Sequence, residues 1–169
     1  PSPLSSYRHY NKDLEDESLI RVSNLPKEAR VRLGAMDVYD GTTFGMGVTN
    51  TADGTAGYRR VGSTIPGRSA DTAGVQTSVS TSQLLGPWVP TIGQVSVLRF
   101  EPSAPNAAEQ QDGLNYDLWA DTALTTGPTG QLSYSLSTTM PREHADSEFA
   151  SVNAARYGGG DTNVPKDVD

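Results

Sequence analysis

The stretch Leu132-Ser133-Tyr134-Ser135-Leu136-Ser137-Thr138-Thr139-Met140 decides the fold class. Leu132, Tyr134, Leu136, Thr138 and Met140 recur at every second position, and Ser or Thr fills the places between. Successive side chains of an extended backbone point to opposite faces, so this spacing builds one apolar face and one hydroxylated face. A helix of period 3.6 would scatter the same residues around its circumference. The segment is expected to be a strand with one buried side.

Runs of similar texture lie on the N-terminal side of it. Residues 75–84 set Val75, Thr77 and Val79 against Ser and Gln, residues 95–100 suggest a further strand, and residues 114–120 place Leu114, Tyr116, Leu118 and Ala120 on one side. Gly127, Pro128 and Gly130 fall between 114–120 and the opening stretch, so those two segments are expected to pair as a hairpin with a long loop. Nearer the N-terminus, Leu19-Ile20-Arg21-Val22 is a short β-prone run followed by the turn signal Asn24-Leu25-Pro26. Residues 30–39 put Val31, Leu33 and Ala35 opposite Arg30 and Arg32, which predicts a further strand. Asp40-Gly41 then forms a hairpin turn with 42–49 as the partner strand, and 58–65 is another strand. The predicted fold is all-β, an antiparallel β-sandwich-like domain with long loops.

Composition agrees with this. The chain has 169 residues, about one domain, with 35% apolar residues, 17 Gly and 11 Pro, which favours short strands and many turns over a helical bundle. Residues 1–18 are polar, with an acidic cluster at Asp13, Glu15, Asp16 and Glu17, and read as an incoming linker. Residues 19–141 carry the domain. Within 142–169, Phe149, Val152, Arg156 and Tyr157 share a helical face before Gly158-Gly159-Gly160, which predicts a short helix and then a polar linker. A final strand over the same residues is the alternative.

Twenty acidic and thirteen basic side chains give a formal charge of −7. That sign opposes binding to nucleic acid and to anionic lipid headgroups, where attraction rests on Lys and Arg. No run approaches the roughly twenty apolar residues that span a bilayer. The chain opens on Pro1 without a signal peptide, the expectation for a piece of a longer polypeptide. It contains no cysteine, so disulfides, thiolate metal sites and thiol catalysis are outside its chemistry.

Candidate reactive residues are few. His9 and His144 are the only histidines and lie in the flanking segments, a poor supply for a zinc site that needs three or four ligands. Asp37 and Asp40, and then Asp112, Asp117 and Asp121, are closely spaced but lack a calcium-loop pattern and read as solvated turn carboxylates. A carboxylate hydrolase would need two of these five in one concave pocket. Gly45-Met46-Gly47 lacks the strand and helix of a dinucleotide loop, and no Gly-x-Ser-x-Gly elbow occurs. No catalytic, cofactor-binding or metal-binding residue is assigned. Trp88, in Gly86-Pro87-Trp88-Val89-Pro90, and Trp119 are the candidate ligand or partner contacts, since aromatic side chains dominate interface energetics. The competing readings are structural: Trp88 holding a proline-rich loop on the domain, and Trp119 filling the core edge or covering the opposite sheet face.

The stretch Leu25-Pro26-Lys27-Glu28-Ala29-Arg30-Val31-Arg32-Leu33-Gly34-Ala35-Met36-Asp37-Val38-Tyr39-Asp40-Gly41-Thr42-Thr43-Phe44 resembles a "LPxGxRVRLAxxDxYDGxxW"-like run. That run belongs to the extracellular region of membrane-anchored, transglutaminase-like proteins of actinobacteria, and Phe44 stands where the family more often has Trp. Tyr58-Arg59-Arg60-Val61-Gly62-Ser63-Thr64-Ile65-Pro66 is similar to the family's "RVGxxIP" segment, and Gly86-Pro87-Trp88-Val89-Pro90-Thr91-Ile92-Gly93 to its "WLPTxG" segment. Asn163-Val164-Pro165-Lys166-Asp167-Val168 resembles the lead-in to the catalytic domain. The resemblance implies a parent with transmembrane helices, then this module outside the cell, then a papain-like core whose Cys, His and Asp follow Asp169. No catalytic residue carries over. The implied function is that of a non-catalytic accessory domain that supports or positions the neighbouring transglutaminase-like domain of the same chain. The alternative is an independent module binding cell-wall glycan or a cell-envelope protein.

Overall fold

A computed structural model describes residues 6–36, 38–39, 41–42, 44–45, 57–68 and 74–141. The elements in chain order are α1 (Tyr7–Lys12), β1 (Ile20–Ser23), β2 (Val31–Arg32), β3 (Val38–Tyr39), β4 (Phe44–Gly45), β5 (Arg59–Arg60), β6 (Val75–Ser82), β7 (Trp88–Val89), β8 (Thr91–Ile92), β9 (Gln94–Phe100), α2 (Ala107–Asp112), β10 (Leu114–Asp117), β11 (Thr122–Thr125) and β12 (Gln131–Thr139). The described strands form two four-stranded sheets, β1-β6-β12-β9 and β5-β10-β11-β7, and two two-stranded ladders, β2-β8 and β3-β4. Every ladder is antiparallel, and the fold is all-β and sandwich-like.

The alternation in β12 does what its spacing predicts. Leu132, Tyr134, Leu136 and Thr138 are buried, while the serines between them face outward. Its neighbour β6 buries Thr77, Val79 and Thr81 on the same side. On the other flank, β9 opposes Val97 to Ser137 but Val95 to Thr138, so Ser96 is an extra residue. This bulge returns Val95 to the buried face that Leu98 and Phe100 occupy, and Ser96 Oγ donates to Ser137 O at 3.1 Å. Leu114, Tyr116, Ala123, Val89, Ile92 and Ile65 complete the core from the second sheet and its connections. Phe100 and Tyr134 stack tilted at 5.5 Å, and the Tyr134 hydroxyl, buried with its ring, donates to Pro90 O at 2.6 Å. One hydrogen bond thus ties the centre of the first sheet to the β7–β8 corner.

Pairing differs from expectation in several places. The predicted hairpin between 114–120 and the β12 segment does not form. β10 instead turns back after Asp117 and pairs with β11, whereas β12 lies between β6 and β9. Residues 126–130 cross between sheets, held by α2: Gln110 Nε2 donates to Pro128 O at 2.7 Å and to Gln131 O at 3.0 Å. Gly127 lies so close that a Cβ there would meet the Gln110 backbone at 2.9 Å. This helix was not anticipated, although Pro105 before it and Gly113 after it are its start and stop signals.

The predicted strand over 30–39 is two short ones. β2 finds only Thr91 and Ile92 as partners, because Gly93, at φ +59, turns the chain away against the Thr139 carbonyl. β3 pairs with β4 across the expected turn. The run 58–65 also divides: β5 joins β10, and Thr64 bridges to Val97 in the other sheet. Residues expected to form an incoming linker contain α1, whose order comes from tertiary contact. The Tyr10 hydroxyl accepts from Leu85 N at 2.7 Å. The helix or strand predicted within 142–169, the partner segment over 46–49, and Asp37, Asp40 and His144 lie outside the described residues.

Candidate interaction site at the Trp119 turn

Four residues, 118–121, connect β10 to β11, and Trp119 among them is 80% exposed. Asp117 starts the turn: its Oδ1 accepts from Trp119 N at 2.8 Å and Ala120 N at 3.2 Å, the side-chain mimicry of a backbone turn that aspartate favours. Asp121 ends it in the left-handed region at φ +50, which Asp and Asn tolerate better than most residues. Its Oδ1 accepts from Arg68 Nη2 at 2.7 Å and from the Tyr116 hydroxyl at 3.1 Å. Arg68 Nη2 also reaches Leu118 O, and Arg32 Nη1 reaches Ala120 O and Asp121 O. Thr91 Oγ1 donates to Asp121 O at 2.8 Å.

Three of the four turn carbonyls are therefore held from other parts of the chain. An indole presented this way loses little conformational freedom when a partner covers it, so its apolar surface converts to affinity at low entropic cost. Beside the turn, Leu118, Tyr116, Pro66, Val61, Arg59 and Arg60 line a small depression of about 140 Å³. Arg59 and Arg60 are exposed, so cationic groups border apolar surface here on a chain that is acidic as a whole.

The other candidates lie elsewhere. Trp88 is 1% exposed, with its indole against Gly86 of the preceding loop, so of the two tryptophans only Trp119 offers surface to a ligand or partner. Asp117 and Asp121 are not solvated carboxylates. The first is buried as the turn cap, and the second is the anion of the Arg68 pair. Asp112 is exposed beside Arg60 at 3.7 Å and lines a separate open groove with Glu109. His9 is on α1, hydrogen-bonded to Asp13. Among the described residues, no three or more His, Cys, Asp or Glu side chains are grouped to hold a metal ion. No helix there is long and apolar enough to cross a membrane. Sequence reasoning missed Arg32 and Arg68, and nothing local marks them: they act 88 and 50 residues away along the chain.

Burial, reinforced by the Asp121 charge, raises the Tyr116 pKa well above the ordinary tyrosine range, and burial alone raises that of Tyr134. Below about pH 10 both are protonated whether the chain is folded or unfolded, so stability does not depend on them. Above it the unfolded chain releases protons that the folded one retains, and stability falls by up to about 1.4 kcal/mol per pH unit for each tyrosine. Phenolate absorbance followed alongside circular dichroism should show these two of the seven tyrosines ionising only as the fold is lost. Ionisation of all seven with the dichroism intact would contradict their placement.

Comparison of the chain with protein-family models, with curated proteins and with solved structures finds no match.

Proposed function

We propose that this chain is a non-catalytic accessory domain on the extracellular face of a membrane-anchored, transglutaminase-like protein, where it binds and positions the neighbouring catalytic domain. The sequence resemblance supplies the identity of the neighbour. The contact rests on one observation, the exposed indole of Trp119 on a turn held by Asp117, Asp121, Arg32 and Arg68. A partner surface complementary to it would be an apolar recess bordered by carboxylates, meeting Arg59 and Arg60 at the edge.

The test is a calorimetric titration of this domain against the transglutaminase core of the parent, expressed separately. Saturable binding is expected, weakened at least about tenfold by Trp119→Ala, as for a hot-spot tryptophan. Thermal stability of that variant should stay within about 0.5 kcal/mol of the parent, because the side chain is exposed. Absence of saturable binding, or binding indifferent to Trp119→Ala, would overturn the proposal.

A further inference from the structure

The outward face of the β1-β6-β12-β9 sheet belongs to no site described so far. Strand register arranges its side chains in rows. Arg21 lies opposite Ser80 and Ser80 opposite Ser133; the next row runs Ser23, Ser78, Ser135 and Arg99. Within one strand the outward positions repeat every two residues, about 6.8 Å, and across strands every 4.8 Å. Hydroxyls are thus held on a fixed grid by a backbone whose other face is core.

Beside the first row the surface becomes a groove of about 380 Å³, in the size range of small-molecule sites. Ser80, Ser82, Ser133, Gln131, Arg21 and Pro105 line it. The loop that brings Pro105 is tied to the sheet, since Glu101 N donates to Ser133 O at 2.9 Å and Ala104 N to Glu101 O at 2.8 Å. Arg21 is the only charged residue of the lining and makes no ion pair among the described residues. Among the described residues, a chain carrying −7 therefore has a groove whose one charge is a cation outside any ion pair, amid hydroxyls and an amide.

We infer that this groove binds a sugar acid, a pyranose bearing a carboxylate. Serine hydroxyls both donate and accept, which matches the donor and acceptor capacity of ring hydroxyls. The guanidinium fork of Arg21 matches a carboxylate in bidentate fashion, and Pro105 supplies an apolar surface for a ring face. A simple carboxylate such as acetate would satisfy Arg21 but leave the hydroxyl grid without partners. The inference is independent of Trp119, which lies on a turn of the other sheet.

The experiment is amide-shift NMR of the full chain titrated with glucuronate, with glucose and acetate as separate arms, to about 10 mM, where millimolar affinity saturates. Glucuronate should shift the amides of residues 80–82 and 131–133 saturably, glucose should shift the same amides more weakly, and acetate should be weaker still. Arg21→Gln, an exposed substitution that keeps the fold, should reduce glucuronate affinity about tenfold, to the level of glucose. Ser133→Val, a β-compatible change on the exposed face, should weaken both sugars. Trp119→Ala should change none of this, so failure here and failure of the accessory-domain reading are separable. The inference is overturned if glucuronate gives no saturable shifts at these positions, if acetate equals it, or if Arg21→Gln binds unchanged.

Discussion

Replacing Trp88 by alanine is expected to destabilise the domain by about 3–5 kcal/mol, the usual cost of deleting a fully buried indole. β7 carries Trp88 beside Leu124 of β11, with Val89 directed into the central core, so the indole lies on the opposite side of that sheet. It is buried there at 1% exposure because the Gly86-Pro87 loop folds back over it. Gly86 has φ +89, and a Cβ at that position would stand 2.7 Å from the indole nitrogen. Pro87 O accepts from Thr125 N at 2.8 Å, so the loop is stitched to β11 and cannot simply collapse into the space left by truncation. A persistent cavity is what places such substitutions at the costly end of the range. Against a typical total of about 5–15 kcal/mol the loss is large. Urea unfolding should show a lower midpoint at unchanged slope. A loss below about 1 kcal/mol, the level of a surface substitution, would mean that Trp88 is not the anchor of this loop. With only two tryptophans in the chain, the Trp119→Ala variant makes Trp88 the sole fluorescent reporter of that transition.

Asp121→Ala is expected to cost about 2–4 kcal/mol, from groups left unpaired when one partner of a partly buried ion pair is removed. Arg68 and Asp121 side chains are 25% and 13% exposed, so solvent screens the loss below that of a fully buried pair. Arg68 would keep Leu118 O, but the Tyr116 hydroxyl loses its acceptor beneath the turn. Alanine also tolerates the left-handed backbone at φ +50 poorly. Asp121→Asn retains that backbone and a hydrogen-bonding side chain, so it should recover part of the loss. Chemical denaturation of the two variants side by side separates charge from conformation. If Trp119 is the contact proposed above, Asp121→Ala should also weaken binding to the catalytic domain, since the turn would no longer hold the indole in place. Equal stability of the wild type and Asp121→Ala would refute the clamp.

The candidate site was legible in its parts and not in its assembly. Trp119 was a candidate because aromatic side chains dominate interface energetics, but the same reasoning raised Trp88 alongside it, and only packing separates an indole under a loop from one on a turn. Asp117 and Asp121 read as turn residues, which is correct of their position. Their work as cap and as ion-pair anion depends on backbone amides two and three residues ahead in the first case, and on Arg68, 53 residues away, in the second.

Period-two alternation is a local property, and it was enough to determine that the chain is built of half-buried strands and which side chains of 75–84 and 132–140 face inward. It does so because side-chain direction in an extended backbone depends on nothing beyond parity. Which strands pair is not local, and only the tertiary structure decided it. The four-residue turn after Asp117 and the hold of Gln110 on residues 128 and 131 divert the chain from the hairpin that loop length suggested. The single extra residue at Ser96 then sets which face of β9 meets the core. Each of these is a contact between segments far apart in sequence, and such contacts acquire their energy only once the sheets have come together.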